Sequence, residues 1–396
     1  MGYDFAYSHY GYQLARCYED LGRKQDTLEA YMHYAEMPSG YHPSGDFTSR
    51  IDRLGGVPLR PDREIDVRYA DLAPSKRFFC RVLATDGKRL YCAGGYPDDV
   101  SRPEAPPIKS IRALGLESGK WTSLGGPDDR VSCLAIAGGQ LWAGTDHSGL
   151  WRMDIETGKW RQWTTKTGLP TDSIVDAAAV GTAAYASVAN IDPFGKVISG
   201  GMVRVTDDGI HIYRNANAPL TAPKVITIDD SRLVTVDNKH QLHVLDLESD
   251  QWSAVPRFFS PVATAGTSGL WTAPREYIAT LVDDEFETVK SFDAAGRLSD
   301  YHAPSNNYRP KFFLERDGSL WIGGNAWRRF GDSGLFRLDL ASGKLTRYGP
   351  RDGFRYDDQN SYTCHAGVWA GGRLWLATSF GLCEVTLRNE VADARP

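Results

Sequence analysis

One position that recurs along this sequence collects side chains able to bind anions. Seven ten-residue windows align without insertions, and they open with Arg81, Ser132, Val175, Lys224, Pro261, Lys311 and His365. Four of these seven residues are basic or become basic on protonation: Arg81, Lys224, Lys311 and His365. Cations at one level of a repeated fold focus a positive potential and attract an acidic ligand. The competing interpretation is that each cation pairs with an acid of the neighbouring repeat or is solvated.

Further candidate ligand contacts lie in polar segments between the windows: His147, Arg275, Trp327 and Arg328. A tryptophan beside two arginines can stack on sugars, nucleobases or protein side chains, and the guanidinium groups can form forked hydrogen bonds. The alternative for this segment is a loop folded onto its own strands. For His147 and Arg275, a structural role is favoured over a catalytic one.

The sequence contains no convincing catalytic constellation, and it predicts neither a metal nor a cofactor. His240 and His243 stand three apart on a predicted strand, so their rings point to opposite faces. The acidic run 283–287 could bind calcium in a long loop, although such carboxylates commonly satisfy local backbone groups. The segment 266–269 lacks the spacing and the following helix of a nucleophile elbow. Enzymatic activity is therefore left open.

The six cysteines also lack the spacing of a metal site. A two-residue turn at Asp86-Gly87 would pair Arg81 with Cys92, which directs the thiols of Cys80 and Cys92 to opposite faces of the hairpin. We therefore expect no disulfide between them, and we interpret them as small buried apolar residues.

The elements that position these residues are β-hairpins. Each window is a short apolar run, a Gly, Asp or Ser turn, and usually a Leu that opens a second strand. The residue after each window is aromatic in six of seven cases, namely Tyr91, Trp142, Tyr185, Trp271, Trp321 and Trp375, with Val234 as the exception. A second hairpin follows each first one. Four-stranded antiparallel sheets repeating about every 40 to 50 residues predict an all-β, seven-bladed β-propeller.

The ring also needs a closing strand. The last repeat supplies three strands, and the extended segment 64–72 precedes the first window without a partner. We expect this segment to complete the last blade, because an open ring would expose a long strand edge. The expected boundaries are 1–38 for a helical hairpin, 39–63 for a linker, 64–388 for the propeller and 389–396 for a tail.

The N-terminal segment predicts a short αα-hairpin. Its two helices are marked by apolar residues at helical spacing, which are Leu14, Cys17, Tyr18 and Leu21, then Leu28, Tyr31, Met32 and Ala35. Leu14, Ala15, Tyr18, Gly22 and Tyr31 resemble the signature of a tetratricopeptide unit. Because one such unit cannot bury its apolar face alone, the resemblance implies that it docks on the propeller, on a partner or on a second copy.

Several windows resemble the propeller repeats of sensor proteins from two-component regulatory systems. The matching segments are 140–145, 167–174, 317–323 and 373–378. The resemblance implies a propeller that senses ligands or partners, often outside the membrane. This chain departs from whole sensors in having no membrane span and no room for a kinase or DNA-binding domain.

Net charge and hydrophobicity limit the classes of partner that this protein is expected to bind. The formal net charge of -5 argues against a nucleic-acid binder. No segment approaches the roughly 20 apolar residues of a membrane span. The first residues lack the features of a secretory signal, which predicts a cytoplasmic protein as given, or an extracytoplasmic one if a signal has been removed.

The predicted strand order gives the propeller one elaborated face. Turns between first and second strands, and between third and fourth strands, are short and share one face. The remaining connections share the other face, and the long ones are expected at 95–109, 189–200, 274–285, 325–333 and 349–361. Binding residues concentrate on loops held by a rigid scaffold, so this long-loop face is the predicted binding face.

These observations predict a non-catalytic module that binds a ligand or a protein on the long-loop face. An acidic saccharide or another anion is the expected ligand, and an unidentified protein is the other expected partner. The alternative is a polysaccharide lyase or hydrolase acting in the channel mouth, where His365 would supply a base and Arg81 and Lys311 would neutralise charge.

Overall fold

Seven four-stranded antiparallel sheets form in the computed structural model, one from each repeat of the sequence. The structure describes residues 3–36, 50–51, 53–55, 63–70, 80–94, 111–191, 197–214, 224–227, 231–237, 239–259, 263–273, 277–283, 288–293, 308–326, 334–355 and 363–388. Arg275, Trp327 and Arg328 lie outside these ranges.

The strands have the following bounds: β1 Ile65–Tyr69, β2 Cys80–Thr85, β3 Arg89–Gly94, β4 Arg112–Gly115, β5 Trp121–Ser123, β6 Val131–Ala137, β7 Gln140–Thr145, β8 Leu150–Asp154, β9 Trp160–Trp163, β10 Ile174–Val180, β11 Ala183–Ile191, β12 Val197–Val205, β13 Ile210–Ile212, β14 Lys224–Thr227, β15 Arg232–Val236, β16 Gln241–Asp246, β17 Gln251–Phe259, β18 Ala263–Gly266, β19 Gly269–Thr272, β20 Tyr277–Val282, β21 Thr288–Asp293, β22 Tyr308–Arg316, β23 Ser319–Ala326, β24 Gly334–Asp339, β25 Leu345–Tyr348, β26 Cys364–Ala370, β27 Arg373–Thr378 and β28 Gly381–Leu387. Blades 1 to 6 take four consecutive strands each from β2 to β25, and blade 7 consists of β26, β27, β28 and β1.

The ring closes by pairing β1 with β28. Ile65 lies opposite Leu387 and Tyr69 opposite Cys383 in an antiparallel register. The Arg388 guanidinium donates to Asp66 Oδ1 at 3.0 Å across the same seam. The seven innermost strands contact one another in cyclic order, with β26 returning to β2. The predicted seven-bladed β-propeller is therefore confirmed, and its fourth strand in blade 7 comes from the segment expected to supply it.

Packing between blades relies on the aromatic residues that follow the windows. Trp142, Trp271 and Trp321 lie on second strands and are at most 2% exposed. Trp142 stacks on Trp163 of its own blade with ring centroids 5.3 Å apart, and both rings pack in the core cluster that joins blades 2 and 3. Trp321 stacks on Tyr348 of its own blade at 5.7 Å, in the core cluster that joins blades 6 and 7. Large aromatic side chains each bury about 150–250 Å², so this position supplies much of the apolar surface that holds neighbouring blades together.

The N-terminal hairpin consists of α1 (Tyr3–Asp20) and α2 (Lys24–Glu36). Its core contains Tyr12, Ala15, Leu28, Tyr31, Met32 and, from the segment after the hairpin, Ile51. The face of α1 that the sequence pattern marks as apolar is largely outside this core, because Leu14 is 49% and Leu21 70% exposed. The helices are as expected, but Tyr12 and Ala15 bury the contact with α2. The likeness to a tetratricopeptide unit rests on two short helices alone.

One hairpin register differs from its prediction. Leu83, and not Arg81, lies opposite Cys92, because the turn after Thr85 is longer than two residues and a bulge interrupts β2 between Cys80 and Val82. The bulge brings Cys80 to the same side as Cys92, and both thiols are buried in one cluster between blades 7 and 1. The prediction that they face opposite sides is therefore wrong. Both cysteines are free and fully buried.

Two predicted long loops are shorter than expected. Residues 189–200 are mostly strand, since β11 continues to Ile191 and β12 starts at Val197. Residues 274–285 are interrupted by β20, which places Asp283 on the short-turn face. Within the described part of the chain, no helix is long and apolar enough to cross a membrane.

Candidate functional site

In the described part of the chain, five of the window-opening residues lie at β-bulges, where their innermost strands begin on the long-loop face. The ladder to the second strand skips one residue in five blades, and the skipped residues are Arg81, Ser132, Val175, Lys311 and His365. A bulge leaves its extra residue outside the ladder and re-aims its side chain, and bulges are enriched beside functional sites. The recurrent position is therefore a structurally distinct one, repeated around the central channel.

Three of the basic candidates lie on consecutive blades. The innermost strands of blades 6 and 7 contact each other, as do those of blades 7 and 1. Lys311, His365 and Arg81 are the bulge residues of these three strands. The Lys311 side chain is exposed, and Arg81 and His365 are half-buried. We call these three residues the basic sector.

A bulge side chain reaches the next blade, as blade 2 illustrates. The Ser132 hydroxyl donates to the carbonyl oxygen of Ile174 at 2.6 Å, and Ile174 directly precedes the bulge of blade 3. The bulge residue of blade 2 therefore lies beside the start of the innermost strand of blade 3. Within the basic sector, His365 also contacts its own blade, with its Nε2 3.4 Å from the Ser379 hydroxyl in the turn between β27 and β28.

A fourth cation lies above blade 7. Arg355 follows the turn Pro350–Asp352 on the connection from blade 6 to blade 7, and its guanidinium covers the Tyr69 ring at 4.4 Å from the ring centroid. The Arg355 backbone N–H donates to the Tyr69 hydroxyl at 3.0 Å. Burial raises the pKa of Tyr69 well above its usual range, so the ring remains a neutral platform for the cation.

Sequence reasoning missed Arg355 because nothing in the repeat marks it. The only available signal was a basic residue in a long connection that leads directly to the innermost strand of blade 7. Its stacking on Tyr69 depends on closure of the ring, since Tyr69 belongs to β1 and lies 286 residues earlier in the chain.

Of the other predicted contacts, the two that the structure describes, Lys224 and His147, lie outside the basic sector. Lys224 begins β14 in blade 4, where it pairs in register with Val236 and forms no bulge. His147 is exposed on blade 2, and its Nδ1 lies 3.6 Å from Asp129 Oδ1. Arg275, Trp327 and Arg328 fall outside the described residues, so their predicted roles stay predictions.

The loops of blade 2 are acidic and internally paired. Asp129 accepts hydrogen bonds from the His147 N–H at 2.7 Å and the Ser148 hydroxyl at 3.0 Å. Burial acts to raise the pKa of Asp129, but these donors outweigh it and hold that pKa below its usual range. Asp146 forms an ion pair with Arg130 on the same loops. Blade 2 therefore contributes paired acidic side chains to this face, in contrast to the basic bulge residues of blades 6, 7 and 1.

Two metal-site candidates can be compared with the structure. Within the described ranges, no group of three His, Cys, Asp or Glu side chains could hold a metal ion. The two histidines do not share a strand as predicted, because His240 lies in the turn before β16 with a φ of 67°. His243 lies on β16, and its Nε2 is 3.3 Å from Asp237 Oδ2.

The comparisons with known proteins establish the fold. No protein-family model matches the chain, and no curated protein matches it in sequence. A catalytically inactive histidine-to-alanine variant of virginiamycin B lyase from Staphylococcus aureus, solved with quinupristin, superposes with a TM-score of 0.56 at 16% identity, covering 82% of this chain and 100% of the other. The extracellular domain of a protein assigned as a hybrid two-component system of B. thetaiotaomicron gives 0.54 at 12% identity, covering 81% and 42%. YCF48 bound to D1 peptide gives 0.58 at 11% identity, covering 86% and 99%. At these sequence identities the three structures show that the chain shares the β-propeller fold, and they do not assign it to a family.

Proposed function

We propose that this protein is a non-catalytic binding module that takes an acidic ligand at the basic sector of the long-loop face. The observation that carries the proposal is the placement of Lys311, His365 and Arg81 at bulges on three consecutive innermost strands. Cations converging at the end of a low-dielectric channel attract carboxylates and orient them. Arg355 adds a fourth positive charge above the same blade.

A protein segment is the favoured ligand. YCF48, whose fold is similar, was solved with a peptide bound, which supports a peptide as a ligand that this architecture can accommodate. Acidic saccharides share the carboxylate chemistry and are the other arm of the test.

An enzymatic alternative rests on His365. Elimination from a uronate needs a base for the proton and a cation to neutralise the carboxylate. His365 Nε2 lies 3.4 Å from the Ser379 hydroxyl and stands between the bulges of Lys311 and Arg81. A polyuronate lyase would release an unsaturated product that absorbs in the ultraviolet, so it can be recognised directly.

The proposal is tested by fluorescence anisotropy with a labelled hexaglutamate peptide, and with trigalacturonate as competitor. We expect the double variant Arg81→Gln/Lys311→Gln to bind at least about tenfold more weakly than the unchanged protein, because it loses two charge-assisted contacts. The matched control is Lys88→Gln/Lys159→Gln, which removes the same net charge from exposed turns on the short-turn face. It should change the affinity less than about twofold at moderate salt.

Three results would contradict the proposal. Equal weakening in both double variants would mean that the peptide responds to net charge alone. An unchanged protein that binds neither peptide nor trigalacturonate has no acidic-ligand site. Turnover of polyuronate that is abolished by His365→Ala would replace the binding module by the lyase.

A further inference from the structure

The first helix of the hairpin carries apolar side chains on two opposite faces. Tyr12 and Ala15 are buried in the contact with α2. Leu14 and Cys17 on α1, and Leu21 directly after it, are exposed, Leu14 at 49% and Leu21 at 70%. With 3.6 residues per turn, the centres of the two faces are about 160° apart around the helix axis. A helix that is apolar on opposite faces is typical of one that packs on both of them.

The exposed residues follow the spacing by which one helix packs along another. Leu14, Cys17 and Leu21 are separated by three and then four residues, and the same alternation continues toward the N-terminus of the sequence through Tyr10, Tyr7 and Tyr3. Apolar residues that repeat every 3.5 positions mark the contact line of a coiled coil. We call positions 3, 7, 10, 14, 17 and 21 the outer stripe. Its spacing fits a helix as the partner.

The spacing of the outer stripe reads the same in both directions. Its successive intervals are 4, 3, 4, 3 and 4 residues. If two copies of α1 pack antiparallel about a twofold axis at the level of position 12, then position 14 lies opposite position 10, 17 opposite 7, and 21 opposite 3. Every position of the stripe then meets another position of the stripe, along a contact about 27 Å long. We propose that the outer stripe of α1 binds α1 of a second copy in this antiparallel register, so that the protein is a homodimer.

Residue size favours the antiparallel direction. The first three positions of the outer stripe are tyrosines, and the last three are Leu14, Cys17 and Leu21. Antiparallel pairing sets each large residue opposite a smaller one, which fills the contact evenly, whereas parallel pairing sets tyrosine opposite tyrosine. Antiparallel helices also bring opposite ends of their macrodipoles together.

The charges beside the outer stripe are compatible with this register. The row on one side is Ala6, Gln13 and Asp20, and the row on the other side is Asp4, Gly11 and Tyr18. In an antiparallel pair each row lies beside the same row of the second copy. Asp20 therefore lies beside Ala6, and Gln13 beside Gln13. Asp4 lies beside Tyr18 in the other row, so no two like charges meet across the contact.

The propeller contacts the hairpin through its other helix. Arg351, in the connection from blade 6 to blade 7, donates from Nη2 to both carboxylate oxygens of Glu29 on α2, at 3.0 and 2.9 Å. Ile51 and Leu54, from the segment after the hairpin, pack into the core between the two helices. Leu14, Cys17 and Leu21 remain exposed in the presence of these contacts. A second copy can therefore reach the outer stripe without displacing the hairpin from the propeller.

Sedimentation velocity at low and high micromolar concentrations tests the self-association. We expect the unchanged protein to form a dimer. The double variant Leu14→Gln/Leu21→Gln should raise the dissociation constant at least about 100-fold, because each dimer loses four leucine side chains from the contact. Leu14→Met/Leu21→Met keeps an apolar contact of similar volume and should change the constant less than about tenfold. The control is Val289→Gln, which removes a 59% exposed apolar side chain from blade 5 and should leave the dimer unchanged.

A disulfide tests the register. In the antiparallel pair, Cys17 lies opposite position 7 of the second copy, whereas the two Cys17 residues are about 15 Å apart along the helix axis, which is too far for a disulfide. In oxidised glutathione the unchanged protein should therefore form no linked dimer. Tyr7→Cys should form one, and peptide mapping should show the new thiol joined to Cys17.

Three results would overturn the proposal. The first is a protein that stays monomeric at every concentration, which would assign the outer stripe to a different partner. The second is a dimer that Leu14→Gln/Leu21→Gln leaves intact. The third is a disulfide between two Cys17 residues in the unchanged protein, which would show parallel helices. Equal thermal melting of all variants establishes that none dissociates by unfolding.

Discussion

Gly323 in β23 packs against the Phe312 ring so closely that a single methyl group cannot be added. A Cβ built on Gly323 would lie 2.1 Å from both Cε1 and Cζ of Phe312 and 3.0 Å from Cβ of Cys364. Carbon atoms in contact need about 3.5 Å, so the ring would have to retreat by roughly 1.4 Å. Phe312 is 6% exposed, and its other side faces Gly367, where a Cβ would meet the ring at 2.6 Å. We therefore expect Gly323→Ala to destabilise the protein by about 1–3 kcal/mol, the usual cost of overpacking a core.

Urea unfolding followed by tryptophan fluorescence measures this loss. The control is Gly201→Ala in β12, where a Cβ would meet nothing within 4 Å. That change should be neutral or should stabilise by about 0.4–1 kcal/mol, because alanine restricts the unfolded chain. Phe312→Leu in the Gly323→Ala background should recover stability, with a coupling of about 0.5–3 kcal/mol in a double-mutant cycle. A Gly323→Ala protein as stable as Gly201→Ala, or one that Phe312→Leu does not relieve, would refute the packing argument. Because Phe312 directly follows the bulge residue Lys311, Gly323→Ala should also weaken peptide binding.

Two further predictions concern ring closure and acid stability. Ile65→Ala should lower the free energy of unfolding by about 2–5 kcal/mol, because Ile65 is fully buried on the closing strand. Val289→Ala, at a 59% exposed site on the equivalent outer strand of blade 5, should leave it almost unchanged. Deletion of residues 64–72 should lower the melting temperature, and an unchanged temperature would contradict closure by this segment. Burial acts to raise the pKa of Asp86, but the Arg89 N–H and the Tyr91 hydroxyl outweigh it and hold that pKa below its usual range. A carboxyl group whose pKa is lowered by folding stabilises the protein at pH values above its unfolded pKa of about 3.9, and this stabilisation is lost as the pH falls through the folded pKa. Asp86→Asn should therefore be less stable than the unchanged protein at neutral pH, and the difference in urea midpoint should disappear in strong acid. A difference that persists in strong acid would exclude this carboxylate as its source.

The seven-bladed ring could be predicted because each hairpin is specified by residues that are close together in the sequence. A Gly or Asp turn and an aromatic residue two positions into the second strand set each hairpin, and Trp142 and Trp321 are buried as that pattern requires. The bulges left no comparable mark. A two-residue turn at Asp86 predicts that Arg81 pairs with Cys92. In the structure Leu83 pairs with Cys92, which is a register shift of two residues, and Arg81 is the unpaired residue of a bulge. The direction of the side chains at the candidate site could therefore not be predicted from the sequence, although their position at the start of the innermost strands could.

The helical hairpin illustrates a second limit. Leu14 on α1 and Leu21 directly after it belong to the stripe that the sequence marks as apolar, yet Tyr12 and Ala15 form the contact with α2. Small and aromatic side chains allow the two helices to approach and interlock, and hydrophobicity alone does not report that geometry. Arg355 shows the same limit at the site, since its platform Tyr69 is supplied by a strand from the other end of the propeller.

The seam in blade 7 also determines when the basic sector can be assembled. Asp66 and Arg388 meet across 322 residues of chain, and Arg81 and His365 flank the same seam from blades 1 and 7. During synthesis, Arg81 emerges from the ribosome long before His365, so the cations cannot be assembled until the last blade has been translated and docked. The proposed acidic ligand would consequently discriminate closed rings from chains in which blade 7 has not yet docked.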